Sequence, residues 1–346
     1  MRIYKICLVS SLGLFANQLA LGQDVHFSQV EFSPLTLNPA LAGATSPMQG
    51  VVNYRNQWQS VASPFQTIAA SFDMRFNQKK NTKAGIFAAG INFFNDQAGD
   101  LKVATTNVNL HLAYHLKIDD NSKIGLGMYI GYGQRSINPG AARWGSQYVN
   151  GLYDATVTPS IDFLSRSSFG FLDAGTGVLY SFNNRNSFYS SRGDFVLNLG
   201  LAGFHVNRPG YSFISPDQDK LHIRYAAFVN AEIGVGENGN GILPGIYFQR
   251  QATQSELMIG AYYKHQLKPG SKFTGYKRPA SLFYGLFGRV KDALVAKIMF
   301  EYDCYSIGAA YDLNISQLRT VSNSFGGFEL FLRFNLSDGG GFRSRI

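Results

Sequence analysis

The sequence predicts an all-β protein, a transmembrane antiparallel outer-membrane β-barrel of about fourteen strands. Three observations predict it. The first is the alternation from Asn107 to Ile118. Val108, Leu110, Leu112, Tyr114, Leu116 and Ile118 share one phase, and Asn107, Asn109, His111, Ala113, His115 and Lys117 share the other. A strand sends successive side chains to opposite faces, so this stretch has one apolar and one hydrated face. Its length suits an oblique bilayer crossing, which takes about 9–11 residues. The second observation is that the same grammar recurs along most of the chain, notably in 221–235 and 305–313. The third is composition. Only 15% of the 346 residues are charged and 45% are hydrophobic, which argues against disorder. Past the N-terminus no apolar run approaches the ~18–20 residues of a spanning helix. A soluble β-sandwich or β-helix is the rival fold. It would turn these apolar phases onto a core, and long, glycine-rich strands suit that poorly.

The chain opens with the parts of a secretory signal peptide over residues 1–22. Arg2 and Lys5 supply positive charge, Ile6 to Ala16 is mostly apolar, and Ala20-Leu21-Gly22 offers a small-x-small cleavage site. Gln23 then begins the mature chain. Residues 23–48 read as an extended leader, periplasmic or plugging the barrel. Pro34, Pro39 and Pro47 break any strand there, yet Phe27, Phe32, Leu35, Leu37 and Leu41 are too apolar to stay in water. The barrel is expected over 49–336, with a Gly/Ser/Arg tail over 337–346.

Within the barrel, strands are expected over 50–58, 65–76, 84–94 and 103–118, the second and third separated by a polar turn at 77–83. Asp119 to Ser122 is turn chemistry. In 124–132, Ile124, Leu126, Met128 and Ile130 oppose Gly125, Gly127 and Gly131, and glycines on one face leave room inside a curved sheet. Residues 138–168 form the longest irregular insertion, and loops of this length are usually functional. Strands resume at 171–182, 195–206 and 221–235. The last of these places Leu221, Ile223, Tyr225, Ala227 and Val229 on its outer face. Further strands cover 242–250, 256–267, 282–290 and 294–302. The apolar phase is even through Tyr302 and odd from Tyr305, so a tight turn sits between them. Residues 305–313 and 328–336 complete the set. An arginine on the apolar face is expected to cost far more than one on the opposite face.

Formal net charge is +9, of which Arg2 and Lys5 leave with the signal. In an exported protein this excess suits lipid phosphates, acidic partners or a basic lumen rather than nucleic acid. Of the two cysteines Cys7 also leaves, and Cys304 alone makes neither a disulfide nor a cysteine metal cluster. His111, His115 and His222 share the polar phase. A metal site needs three or four convergent ligands, so hydrated lumen residues are the preferred reading and no metal is expected. His26, His205 and His265 stand isolated. There is no Gly-x-Ser-x-Gly elbow and no glycine loop ahead of a helix. No catalytic or cofactor-binding residues are expected, and the chain is not read as an enzyme.

Residues 23–58 carry a resemblance. Gln23-Asp24-x-His26-Phe27-Ser28-Gln29, then Pro34-Leu35, Asn38-Pro39-Ala40 and Gly43, then Tyr54-Arg55-x-Gln57-Trp58 resemble the PorP/SprF family of outer-membrane proteins of Bacteroidetes, tied to type IX secretion. Tyr311-Asp312 and Gly327-Phe328-Glu329 are similar to the family's ending, with Phe328 where histidine is usual. The resemblance implies a non-enzymatic barrel in the outer membrane. Its implied partners are membrane lipid, other secretion components and large adhesins bearing a C-terminal sorting domain, with a link to gliding in some bacteria. It marks Asn38, Pro39, Tyr54, Arg55, Gln57, Trp58, Asp312 and Glu329 as signature positions without assigning them roles. Arg55 and Glu329 lie on the first and last strands, which neighbour each other in a closed barrel, so a seam contact is as good a reading as partner binding. The alternative function is a diffusion porin or small-solute transporter. A lipid-acting enzyme is a third possibility, for which no Ser–His pair is evident.

Overall fold

The structure, a computed structural model, describes residues 24–336 apart from 59–62, 77–84, 142, 159–165, 185–193, 216–218, 237, 271–277, 317–321 and 323. The expected signal peptide, the turn at 77–83 and the tail at 337–346 lie outside the described residues.

Fourteen strands close into one antiparallel barrel. They are β1 (Met48–Gln57), β2 (Phe65–Arg75), β3 (Ile86–Ala98), β4 (Val103–Lys117) and β5 (Ser122–Ser136). Then come β6 (Ser168–Asn184), β7 (Phe195–Phe204), β8 (Arg224–Val235), β9 (Asn240–Gln251) and β10 (Gln254–Lys268). The set ends with β11 (Ala280–Arg289), β12 (Ala293–Tyr302), β13 (Tyr305–Asn314) and β14 (Phe325–Leu336). Each strand pairs with its chain neighbours, and β1 pairs with β14 from Met48↔Leu336 to Gln57↔Gly327. Closure removes the sheet edges that lipid does not tolerate. Both barrel ends, Met48 and Leu336, reach the same mouth, here called the terminal mouth. Residues 137–167 and 205–223 connect strands at the other, the loop mouth.

The alternation sorts as expected on the outside. Val108, Leu110, Leu112 and Leu116 of β4 face outward, while Asn107, Asn109, His111 and His115 are buried inside. The phase change between β12 and β13 falls at the turn after the Tyr302↔Tyr305 pair. Asp119 Oδ1 accepts the Asn121 and Ser122 amides at 2.8 and 2.7 Å, the Asx turn that joins β4 to β5.

The inside departs from expectation because the lumen is occupied. Residues 24–47 lie within the barrel, and they are not extended. They fold into short helical turns at Val30–Phe32, Pro34–Leu37 and Pro39–Leu41. Pro34 and Pro39 sit near turn starts, where a missing N–H costs nothing. Val30, Phe32, Leu37 and Ala40 pack into one apolar cluster with wall residues such as Phe228, Met258 and Phe287. That half of the inner wall is therefore apolar rather than hydrated. His111 and His115 are 1% and 4% exposed, so they are not hydrated lumen residues. His111 Nε2 meets Asn92 Oδ1 at 2.8 Å, and His115 Nε2 meets the Ala42 carbonyl at 2.7 Å. His222 lies apart from both, just before β8. Leu221 is also corrected: β8 starts at Arg224, and Leu221 is buried with Phe169 and Phe171 at the loop mouth.

The glycine face of β5 and β6 is explained by close approach. A Cβ on Gly127 would overlap the Pro39–Ala40 backbone, and one on Gly177 would overlap the Asn38 side chain. Only glycine lets the leader lie this near the wall.

Candidate functional site

A buried ionic network crosses the seam. Arg55 of β1 and Glu329 of β14 are directly paired residues, both 2% exposed. Arg55 Nη1 donates to Glu329 Oε1 and, at 3.0 Å, to Ser28 Oγ. Its Nη2 reaches Gln57 Oε1 at 3.0 Å and Asp312 Oδ2 at 3.4 Å. Arg289, at the end of β11, donates to the same Asp312 oxygen and lies 3.1 Å from Asp292. The leader completes the set. The Ser28 and Gln29 amides donate to the two Glu329 oxygens at 2.6 and 2.8 Å, and Ser28 Oγ donates to Asp312 at 2.7 Å. Two guanidinium groups thus face two carboxylates; backbone N–H groups complete Glu329, while Asp312 is held through Oδ2 alone. A buried charge is tolerable only when so paired and hydrogen-bonded. His26 Nε2 stands 3.4 Å from Arg55 Nη2. Its Nε2 also lies 3.8 Å from Glu256 Oε2, and its side chain keeps 26% exposure.

A second network clamps the leader's start. Asp24 N–H donates to Gln251 Oε1 at 2.9 Å. The Asp24 carboxylate meets His205 Nε2 at 2.5 Å and Arg224 Nε at 3.0 Å. His205 Nδ1 lies 2.8 Å from Asp173 Oδ1, whose other oxygen accepts Tyr129 OH at 2.8 Å. Burial disfavours the charged imidazole, but Asp24 and Asp173 outweigh it and raise the His205 pKa to about 9. Burial likewise opposes the Asp24 charge, while His205 and Arg224 hold that carboxyl down to about 2. His205 is therefore not isolated, as its place in the sequence suggested.

A third contact pairs Glu31 with Lys297 Nζ at 2.8 Å and with Tyr262 OH at 2.5 Å. Asn38 anchors the mid-leader. Its Oδ1 accepts the Ala40 amide at 2.8 Å, capping the next turn, and its Nδ2 donates to the Val178 and Leu201 carbonyls at 3.0 and 3.1 Å. At the terminal mouth Gly43 N–H donates to Asp73 at 2.8 Å, and Arg75 Nη2 donates to the Ala44 carbonyl at 2.9 Å.

Of the eight signature positions, four converge on the seam: Arg55, Gln57, Asp312 and Glu329. Asn38 and Pro39 serve the leader's turn instead. Tyr54 points outward from β1, where its OH meets Asn56 Nδ2 at 3.4 Å. Trp58, at φ 61°, ends β1 edge-on to Phe65, with ring centroids 5.0 Å apart. Neither joins the network. Sequence reasoning missed Arg289, Arg224, Asp173 and the role of Ser28. Their signal was faint, an ionisable or small polar residue in the inward phase. Among the described residues no group of three or more His, Cys, Asp or Glu side chains is arranged to hold a metal ion.

The chain was compared with known proteins. The family model described as "Type IX secretion system membrane protein PorP/SprF" matches residues 20–334. No curated protein matches. Among solved structures, the chain is similar to CdiB from Acinetobacter baumannii at TM-score 0.40 and 7% identity, covering 83% of this chain and 60% of that one. It is similar to BamA from Haemophilus ducreyi lacking POTRA domains 1–3, at 0.43 and 10%, covering 84% and 70%. It is also similar to the toluene transporter TbuX from Ralstonia pickettii, at 0.43 and 9%, covering 88% and 94%. The chain spans less than two thirds of the length of CdiB.

Proposed function

Because the chain belongs to the PorP/SprF family of type IX secretion system membrane proteins and is an outer-membrane barrel, we propose that it is a non-enzymatic partner barrel supporting export or surface anchoring of large adhesins. Cargo with a C-terminal sorting domain, and a link to gliding, belong to this reading. The single observation that carries it beyond the family is the filled lumen. A diffusion porin of this strand number keeps an aqueous passage. Here, among the described residues, the leader meets the wall from β1 to β14, and two cavities beside Asp24 hold about 30 and 20 Å³, room for a water or two.

The surface proposed for the partner is the insertion at 138–168. Its described part holds a short hairpin, Tyr148–Val149 with Leu152–Tyr153. Val149 and Leu152 are 47% and 76% exposed, an apolar tip of the kind that marks a protein contact. The test is surface proteomics of a deletion strain, followed by a variant shortened within 140–166. Loss of one large adhesin from the surface with an intact outer membrane is the expected result. An unchanged surface profile in the full deletion rejects the reading.

A further inference from the structure

The leader has a direction inside the barrel. Asp24 is held by Gln251, Arg224 and His205. Gln251 ends β9, Arg224 starts β8 and His205 follows β7, so all three stand at the loop mouth. Ser28 and Gln29 lie further in, on Asp312 and Glu329. Asn38 sits at mid-height on Val178 and Leu201, and Gly43 meets Asp73 near the terminal mouth. β1 then starts at Met48 and runs back toward the loop mouth. The leader therefore traverses the lumen from the loop mouth to the terminal mouth.

Barrels of this class carry short periplasmic turns and longer extracellular loops. The mouth with the long connections 137–167 and 205–223 is the outer one. We propose that the leader is threaded outside-in, so that its N-terminal end is presented at the cell surface while the C-terminal end of β14 faces the periplasm. Two cavities beside Asp24 measure about 30 and 20 Å³, room for water but not for a second pass of the chain at that point. His205 and Arg224, from neighbouring strands, share one Asp24 carboxylate oxygen and fix that end at the rim. His26 and Glu256 beside it keep side-chain exposures of 26% and 21%, so the rim is open to solvent there. The leader also reaches the seam. The Ser28 and Gln29 amides occupy the Glu329 carboxylate that Arg55 reaches across the seam.

The test places a ten-residue epitope directly ahead of Asp24, and in separate chains at Thr253 in the outer turn or after Leu336. Heat-modifiable gel migration verifies that each barrel is folded. Antibody staining of intact cells should detect the Asp24 and Thr253 tags at similar intensity, and the Leu336 tag only after permeabilisation. Staining of the Asp24 tag only after permeabilisation, in a folded barrel, overturns the proposal. Staining of the Leu336 tag on intact cells overturns it as well. If the tagged chain does not fold, Val25→Cys in a Cys304→Ser background carries the same readout with a membrane-impermeant maleimide. Labelling on intact cells is expected. Labelling only after permeabilisation, or only after unfolding, overturns the proposal. Wild-type Cys304, in the β12–β13 turn at the terminal mouth, is the periplasmic reference.

Discussion

Arg55 meets Glu329, Asp312, Ser28 and Gln57 within a few ångströms and away from bulk water. Truncating one member of such a network strands the others, which typically costs about 3–5 kcal/mol. Arg55→Ala should therefore lose stability of that order in a urea titration of the folded barrel. Adding Glu329→Gln should cost much less than the sum of the two single changes, and a double-mutant cycle measures that coupling. His205 carries a pH signature. Its folded pKa of about 9 lies above the ordinary histidine value of 6.5, so its contribution is complete below the unfolded value and lost as pH rises through 9. Asp24 lies at about 2 against 3.8, so its contribution is complete above 3.8 and lost as pH falls through 2. The two are one interaction seen from both sides and do not add. Melting temperature should decline between pH 7 and 9 in the wild type and lose that slope in His205→Gln. The Arg55–Glu329 contact was legible in the sequence because first and last strands of a closed barrel must touch. The Asp24–His205 clamp was not, since its partners are 181 residues apart and nothing local links them.

At the scale of elements, the outward faces of the strands meet lipid and the inward faces meet the leader. Leu112 is 51% exposed on β4, and an arginine there should cost roughly 2–4 kcal/mol at the bilayer midplane in a refolding titration. The expectation that inner-face substitutions are mild does not survive the filled lumen. His111 is 1% exposed, so His111→Arg also has to displace packed neighbours. The leader predicts its own sensitivity. Gly177→Leu would collide with Asn38, the residue that ties mid-leader to β6 and β7. The barrel should still form, while protease resistance of the leader falls. Equal resistance in both proteins would show that Asn38 does not need the glycine. The strands were readable from alternation, which is a local property of the extended backbone. The leader's turns were only half readable: the prolines excluded a strand, but the apolar wall that folds residues 30–41 comes from distant elements.

Across the whole molecule, a membrane barrel is usually stable through its ladder and its lipid face alone. This one adds a core inside, where Phe32 stacks on Phe331 at 3.9 Å and Asn53 holds the Phe32 carbonyl at 3.1 Å. Removing residues 24–45 should open the lumen. Planar-bilayer recordings are expected to show little steady conductance for the intact protein and large steady channels for the truncated barrel. Steady channels from the intact protein would instead favour the porin reading.

The class of molecule was legible in the residues alone: a period-two pattern, a mostly uncharged composition and turn residues at strand intervals define a barrel because each acts within a few residues. The outward phase of 107–118 followed from the same local rule, whereas Leu221, read as outward, is held by an aromatic cluster at the loop mouth. What fills the barrel, which inner positions are apolar and which charges meet emerge from the folded chain. Those outcomes depend on partners that closure brings together across as many as 301 residues, as with Ser28 and Glu329. No local periodicity encodes a contact at that separation. The inward face of a strand reads the same whether it meets water or another segment of its own chain.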